Sequence, residues 1–292
     1  MFIATLIAAD RLSQADIFRA QEALRAAGMD SREFAWIDEE KAADLSFDGD
    51  AVIARSTLEG LLAGVDVIVQ AAAGREKKLL ISDMDSTMIT IECIDELADY
   101  AGIKAEISDV TERAMRGELD FEAALDARVA LLKGLPVTTL DVCYRERVKL
   151  MPGATTLVRT MRARGAYTIL VSGGFTHFAD PVAADIGFDR AVSNVLGLGA
   201  DALDGTVARP VIGAEAKRAT LLAEMGRLGL SRAETLAVGD GANDIPMIEA
   251  AGLGVAYHAK EKAAAAADAR IVHGDLTTLL YAQGVSRADW VN

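Results

Sequence analysis

Two carboxylates, Asp83 and Asp85, close the short apolar run Leu79-Leu80-Ile81. A short aliphatic run bounded by polar residues reads as a strand buried on both faces. Side chains two apart in an extended segment point the same way, so the pair can converge on one point. Carboxylates that close repel each other unless one is protonated or a cation lies between them. Taken alone, the stretch also fits a solvated turn after a strand. Two further strand-like runs repeat the pattern: Tyr167 to Val171 ends in Ser172-Gly173-Gly174, and Thr235 to Val238 ends in Gly239-Asp240-Gly241-Ala242-Asn243-Asp244. In open α/β sheets ligands bind outside the carboxyl ends of the strands. The three polar clusters are therefore expected to meet in one crevice.

Such a crevice suits a phosphate monoester. Asp83 is the candidate nucleophile, because a carboxylate attacking phosphorus splits hydrolysis into two easier steps. Asp85 is the candidate general acid and base, for the leaving oxygen and then for the attacking water. Asp83 and Asp240, with Asp244 as a further candidate, offer the hard oxygens that suit Mg²⁺. Ser172, the N–H of Gly173 and Lys217 can hold the phosphoryl oxygens as charge spreads over them. A lysine near a helix N-terminus is mildly unfavourable, which singles out Lys217, although most such lysines are solvated.

The elements that must position these groups follow from composition and periodicity. A chain of 292 residues, 51% hydrophobic and 25% charged, has the length of about two domains and an ordinary globular make-up. Its net charge of −14 argues against nucleic acid and anionic membrane surfaces as partners. Cys93 and Cys143 lack metal-ligand spacing and are expected as free thiols in a reducing cytoplasm. Met1 to Ala9 lacks the basic flank of a signal peptide and reads as a first strand. No window approaches the ~18 apolar residues of a membrane helix.

Residues 1–73 read as a small α+β unit. Strands are expected at Phe2 to Ala8, Glu33 to Ile37, Asp50 to Ala54 and Asp66 to Val69. Helices are expected after Ser13 and at Leu58 to Ala63. This element order resembles a regulatory domain of the ACT type, and a dimerising or stabilising module without a ligand fits equally. A charged linker, Gly74 to Lys78, follows. Residues 91–149 carry three helical stripes and read as a lid inserted after the first core strand. In the third stripe Arg128 falls inside the apolar arc of Phe121, Leu125 and Leu132. It must snorkel, form a salt bridge in the lid or meet an anionic ligand. By pattern alone Met115 is a core-edge residue and Glu92 a capping carboxylate. Beyond residue 150, alternating helix and strand return, with a hairpin expected at the Asp204-Gly205 turn and a helix at Lys260 to Ala269.

Asp83-Met84-Asp85-Ser86-Thr87, Ser172-Gly173-Gly174-Phe175, Lys217 and Gly239 to Asp244 resemble, in order, the four motifs of the haloacid dehalogenase superfamily of phosphatases. The segments Glu112 to Phe121 and Arg128 to Gly134 resemble its phosphoserine-hydrolysing branch. The resemblance implies a Rossmann-like parallel α/β core (78–90 and 150–292), a helical cap (91–149) and an added N-terminal ACT-like unit (1–73). It implies that Glu92 binds the ammonium of O-phospho-L-serine and Arg128 its carboxylate, with Met115 and Phe121 walling the pocket. It further implies that the Asp85 carbonyl joins Asp83 and Asp240 around Mg²⁺, and that Asn243 and Asp244 support the phosphate and Lys217. The expected product is serine, as in the last step of serine biosynthesis, and a homodimer is compatible with the extra domain. Alternatives are a phosphatase or phosphomutase for another small metabolite, or a receiver phosphorylated on Asp83. The Glu92–Arg128 pair favours a zwitterionic amino acid over a neutral sugar. No G-x-G-x-x-G or P-loop follows a predicted strand.

Overall fold

The structure, a computed structural model, describes residues 1–115 and 118–292; the side chains of Arg32 and Met115 also lie outside the described set. The N-terminal elements are β1 (Phe2–Ala8), α1 (Gln14–Ala26), β2 (Asp30–Asp38), β3 (Ala42–Asp48), α2 (Ala51–Leu58) and β4 (Val65–Ala71). The strands form an antiparallel sheet in the order β2-β3-β1-β4. Ser13 caps α1 through a reciprocal box with Asp16. Two expectations fail here. Asp50 to Ala54 is not a strand: the Asp50 carboxylate accepts the N–H groups of Val52 (2.8 Å) and Ile53 (3.1 Å) and starts α2, displacing the helix expected at Leu58 to Ala63. The missing strand is β3, whose Ala and Asp residues hid its β character while Ala43, Leu45 and Phe47 enter the core shared with α1 and α2.

The second part begins with β5 (Leu79–Ser82) and continues into the cap helices α3 (Cys93–Ala101), α4 (Lys104–Met115), α5 (Phe121–Leu131) and α6 (Val137–Arg147). It returns through α7 (Ala154–Ala163), β6 (Tyr167–Phe175), α8 (Thr176–Ile186), β7 (Arg190–Asn194), β8 (Leu196–Leu198), β9 (Leu203–Val207) and α9 (Ala214–Leu228). The chain closes with β10 (Thr235–Gly239), α10 (Ile245–Ala250), β11 (Leu253–Tyr257), α11 (Glu261–Ala266), β12 (Ala269–Ile271) and α12 (Thr278–Ala282). The core sheet is parallel throughout, in the order β12-β11-β10-β5-β6-β7. Because strand side chains alternate, Leu79 and Ile81 join the cluster beneath α9 and α10, while Leu80 joins the larger core on the opposite face. From β5 the chain moves to β6 on one side; from β10 it moves to β11 on the other. The β5–β10 boundary is therefore the topological switch point, where a crevice must open.

The cap joins the core through two strands of linker. Thr90 N–H donates to the Lys149 carbonyl (3.0 Å) and Met151 N–H to the Met88 carbonyl (2.9 Å). A fourth cap helix, α6, was not among the three expected stripes. The Asp204-Gly205 pair does not form the hairpin turn: both residues lie inside β9, and the reversal falls between Leu198 and Leu203. Gly205 has φ +86°, and a Cβ there would come within 2.9 Å of the Lys133 Cβ, so glycine lets the hairpin close onto the end of α5. The helix expected at Lys260 to Ala269 is shorter, since β12 claims its last residue.

The N-terminal sheet is fastened to the core by polar contacts. Asp66, 3% exposed, accepts backbone N–H groups of Val272 (2.9 Å), His273 (3.1 Å) and Gly274 (2.7 Å). Arg75 grips Asp44 and donates to the Ala282 carbonyl (2.8 Å). Losing a charged acceptor strands its donors at a cost of about 1–3 kcal/mol. Asp66→Ala is expected to lower stability by about 2 kcal/mol in chemical denaturation of the full chain, with turnover unchanged. An unshifted midpoint would show that this joint contributes nothing to stability.

Candidate active site

The strand β5 stops at Ser82, but Asp83 keeps its N–H on the Val238 carbonyl (3.0 Å). The chain then turns. The Met84 carbonyl accepts from Thr87 (3.2 Å), Met88 (2.8 Å) and Ile89 (3.0 Å), and Ser86 adopts φ +55°. Asp83 and Asp85 line one cavity, as expected, but this turn brings Asp85 there rather than simple strand alternation.

Lys217 is fully buried in the first turns of α9, not solvated. Its Nζ donates to Asp83 Oδ1 (2.6 Å) and Asp244 Oδ1 (2.7 Å). Burial opposes its charge, yet the two carboxylates outweigh this and raise its pKa. Lysine thus lies behind the nucleophile candidate rather than in the cavity lining. Asp244 is also fully buried, and its second oxygen accepts the Gly241 N–H (3.0 Å). Gly239 makes this possible, since a Cβ there would come within 2.4 Å of the Asp244 carboxyl carbon.

Asp83, Asp240 and Asp244 each present an oxygen within 4.8 Å of the others. One lysine offsets one of these three charges. Burial, then Asp244, pushes the Asp83 pKa well above its ordinary value, and burial, then Asp244, pushes Asp240 up to about 6. Buried negative charge in excess, presented by hard oxygens, fits an oxygen-seeking divalent cation. With both Asp244 oxygens engaged, Asp83 and Asp240 are the side chains best able to hold it. Burial, reinforced by Glu92, also pushes Asp85 up to about 7, a range suited to proton transfer near neutrality.

Opposite the carboxylates, Ser172, Gly173 and Asn243 line the cavity. Ser172 to Gly174 form an irregular end of β6, where the Gly174 N–H donates to Ser172 Oγ (2.8 Å). A Cβ on Gly174 would lie 3.3 Å from Asp85 Oδ2, so the loop approaches closely only because it is glycine. The cap supplies Glu92, Phe121 and Arg128 to the same cavity. Glu92 occupies the N-cap position of α3 but makes no capping bond; it accepts from Ser86 Oγ (2.6 Å) instead. Arg128 Nε donates to the Ala124 carbonyl (3.2 Å), and among the described residues no carboxylate lies within ion-pair distance. Burial lowers its pKa against the pull of Asp95 and Glu92. The backbone of Met115 ends α4, and its side chain, expected in the pocket wall, lies outside the described residues.

Several lining or supporting groups escaped sequence reasoning. Ile94, Leu125, Phe175 and Lys260 complete the lining. Asn194 steadies the loop by donating to the Gly173 carbonyl (2.9 Å) and accepting the Ile212 N–H (2.7 Å). Cys93 donates its thiol to Asp85 Oδ1 (3.0 Å). Ile94 and Leu125 carried a signal, helical periodicity, but that signal does not distinguish cavity from core.

Known proteins resemble this chain over most of its length. The family model for haloacid dehalogenase-like hydrolase matches residues 77–252. A phosphoserine phosphatase of Polaromonas sp. is 48% identical over 208 residues, 70% of this chain and 88% of that protein. The phosphoserine phosphatase of Archaeoglobus fulgidus is 45% identical over 219 residues, 74% of this chain but 63% of its own longer sequence. Among solved structures, the unliganded probable phosphoserine phosphatase from Vibrio cholerae superposes with a TM-score of 0.79 at 34% identity, covering 98% of this chain and 88% of that one. A family match over more than half of the chain, with a relative 48% identical over 88% of its own length, shows that the chain belongs to the haloacid dehalogenase-like hydrolases, in the phosphoserine phosphatase family.

Proposed function

We propose that this chain hydrolyses O-phospho-L-serine to L-serine and phosphate through a phospho-Asp83 intermediate. The observation that carries the reading is the pairing of Glu92 and Arg128 in the cavity that holds Asp83 and Asp85. A phosphorylated amino acid presents an ammonium and a carboxylate beside its phosphate, and these two residues complement both. An Arg128 without an ion-pair partner among the described residues favours an anionic ligand over a structural salt bridge.

In the first step an oxygen of Asp83 attacks phosphorus and the bond from phosphorus to the serine oxygen breaks. Asp85 gives that oxygen its proton. Ser172 and the Gly173 N–H hold the phosphoryl oxygens in the crossing. In the second step a water attacks phosphorus, Asp85 takes its proton, and the bond to Asp83 breaks to release phosphate. Lys217 aligns Asp83 and favours its ionised form against the effect of burial, and Asn243 supports the phosphate from the β10 loop. Bound Mg²⁺, held by Asp83, Asp240 and the Asp85 carbonyl, would offset the repulsion between carboxylate and phosphate dianion. The two cysteines are free and buried. They support a reducing cytoplasmic setting, and no helix among the described residues is long and apolar enough to cross a membrane.

Asp83→Asn is expected to abolish turnover while leaving the fold intact, because Asp244 still pairs with Lys217. Full activity would exclude Asp83 as the nucleophile. Arg128→Ala is expected to raise KM for phosphoserine about 10–100-fold and to leave that for an aryl phosphate nearly unchanged, the scale of a lost charge-assisted contact. Equal effects would remove the specificity argument.

The metal makes a third prediction. Asp240 has a folded pKa near 6 against 3.8, so without a cation it contributes stability at low pH that is lost as pH rises through 6. A cation that binds only the ionised carboxylates reverses that loss. Millimolar Mg²⁺ should raise the melting temperature more at about pH 8 than at about pH 5, and chelation should abolish activity. Equal shifts at both pH values would separate the cation from these carboxylates.

A further inference from the structure

We propose that Cys93 is a positioning residue for Asp85: its thiol, carried by the first cap helix, orients the carboxyl that serves the leaving oxygen. The inference rests on the hydrolytic reading above. Cys93 is fully buried, and its Sγ lies 3.0 Å from Asp85 Oδ1. Among the described residues it is the sole side chain that hydrogen-bonds to Asp85. The Cys93 backbone N–H points at the same carboxyl. The two oxygens of Asp85 thus differ: Oδ1 faces the start of α3, while Oδ2 faces Gly174 across the cavity.

Asp85 needs this support because it sits in a turn, beside Ser86 at φ +55°, and not in the sheet ladder that holds Asp83. A side chain on a turn has no neighbouring strand to limit its rotamers. The thiol supplies the limit from the cap. Next to it, Ser86 Oγ donates to Glu92 Oε1 (2.6 Å), so residues 85–86 of the core and 92–93 of the cap are joined by adjacent contacts. The helix start that carries Glu92, the residue assigned to the substrate ammonium, therefore also sets the proton donor. Both are registered against one substrate. A purely space-filling cysteine in the apolar cluster with Cys143 is the competing account.

Leaving-group chemistry separates the two. A serine alkoxide must be protonated as it departs, whereas an aryl oxide leaves without help, so a misplaced acid lowers kcat/KM, which reports the steps up to phospho-Asp83 formation and not the shared water attack, only for the former. Cys93→Val keeps the site filled by an apolar side chain, about one methyl group larger, and loses the donor; Cys93→Ser keeps a donor. Cys93→Val is expected to lower kcat/KM for phosphoserine about 10–100-fold and that for p-nitrophenyl phosphate less than about threefold. Inhibition by a phosphonate analogue of phosphoserine should stay unchanged, and Cys93→Ser should stay within about threefold of wild type on both substrates. The proposal is overturned if Val leaves phosphoserine turnover intact, if it slows both substrates equally, or if Ser falls as far as Val. Should the Val variant melt early, Cys93→Ala is read by the same ratios. A wild type inactive on phosphoserine but active on another alkyl phosphate refutes the substrate reading alone, and the comparison is then run on that ester; one inactive on every alkyl phosphate overturns both.

Discussion

The ion pairs of a fully buried lysine hold the catalytic floor together. Lys217 could not remain charged at zero exposure without compensation, since desolvating an ammonium costs several kcal/mol. Asp83 and Asp244, at 2.6 and 2.7 Å, provide it. The consequence is mechanical as well as electrostatic. Asp83 follows β5, Asp244 follows β10 and Lys217 sits on α9, so one ammonium ties three remote segments to a single point. Charge is still in excess around it, and that excess makes the floor a place for a divalent cation and a phosphate.

Above the floor the cap decides what reaches it. Phe121 and Arg128 come from the cap helix α5 and Glu92 is the residue that precedes α3, whereas Ser172, Asp240 and Asn243 come from the core. On the proposed function, phosphate chemistry and amino-acid recognition are thereby divided between core and cap, which are joined by the paired linkers at 88–90 and 149–151. The contacts from Asp85 and Ser86 to Cys93 and Glu92 cross that division at the proposed general acid. The N-terminal sheet meets the core elsewhere, near β12 and α12, through Asp66 and Arg75. Among the described residues it contributes none to the lining of the catalytic cavity.

The chemistry was legible in the chain because strand ends in a parallel sheet converge by topology. Asp83, Asp85, Ser172, Lys217 and Asp240 could be named without coordinates, and the aliphatic runs before them predicted strands that the sheet contains. Local periodicity served less well where propensity and role part company. β3 hid behind alanines and aspartates, and Asp50 read as strand until its carboxylate was seen to cap α2. Asp204-Gly205 has the composition of a turn, but a glycine at positive φ serves equally where another element must pack closely.

What the sequence determined by itself was the set of reactive groups and the order of the elements bearing them, since both follow from residue type and local spacing. Only the tertiary structure decided depth and partnership. It put Lys217 beneath Asp83 and outside the lining of the cavity, freed Glu92 from capping, left Arg128 without an ion-pair partner among the described residues, and laid a cysteine thiol against Asp85. Each depends on contacts between residues brought together by folding, through distances that no one-dimensional pattern encodes.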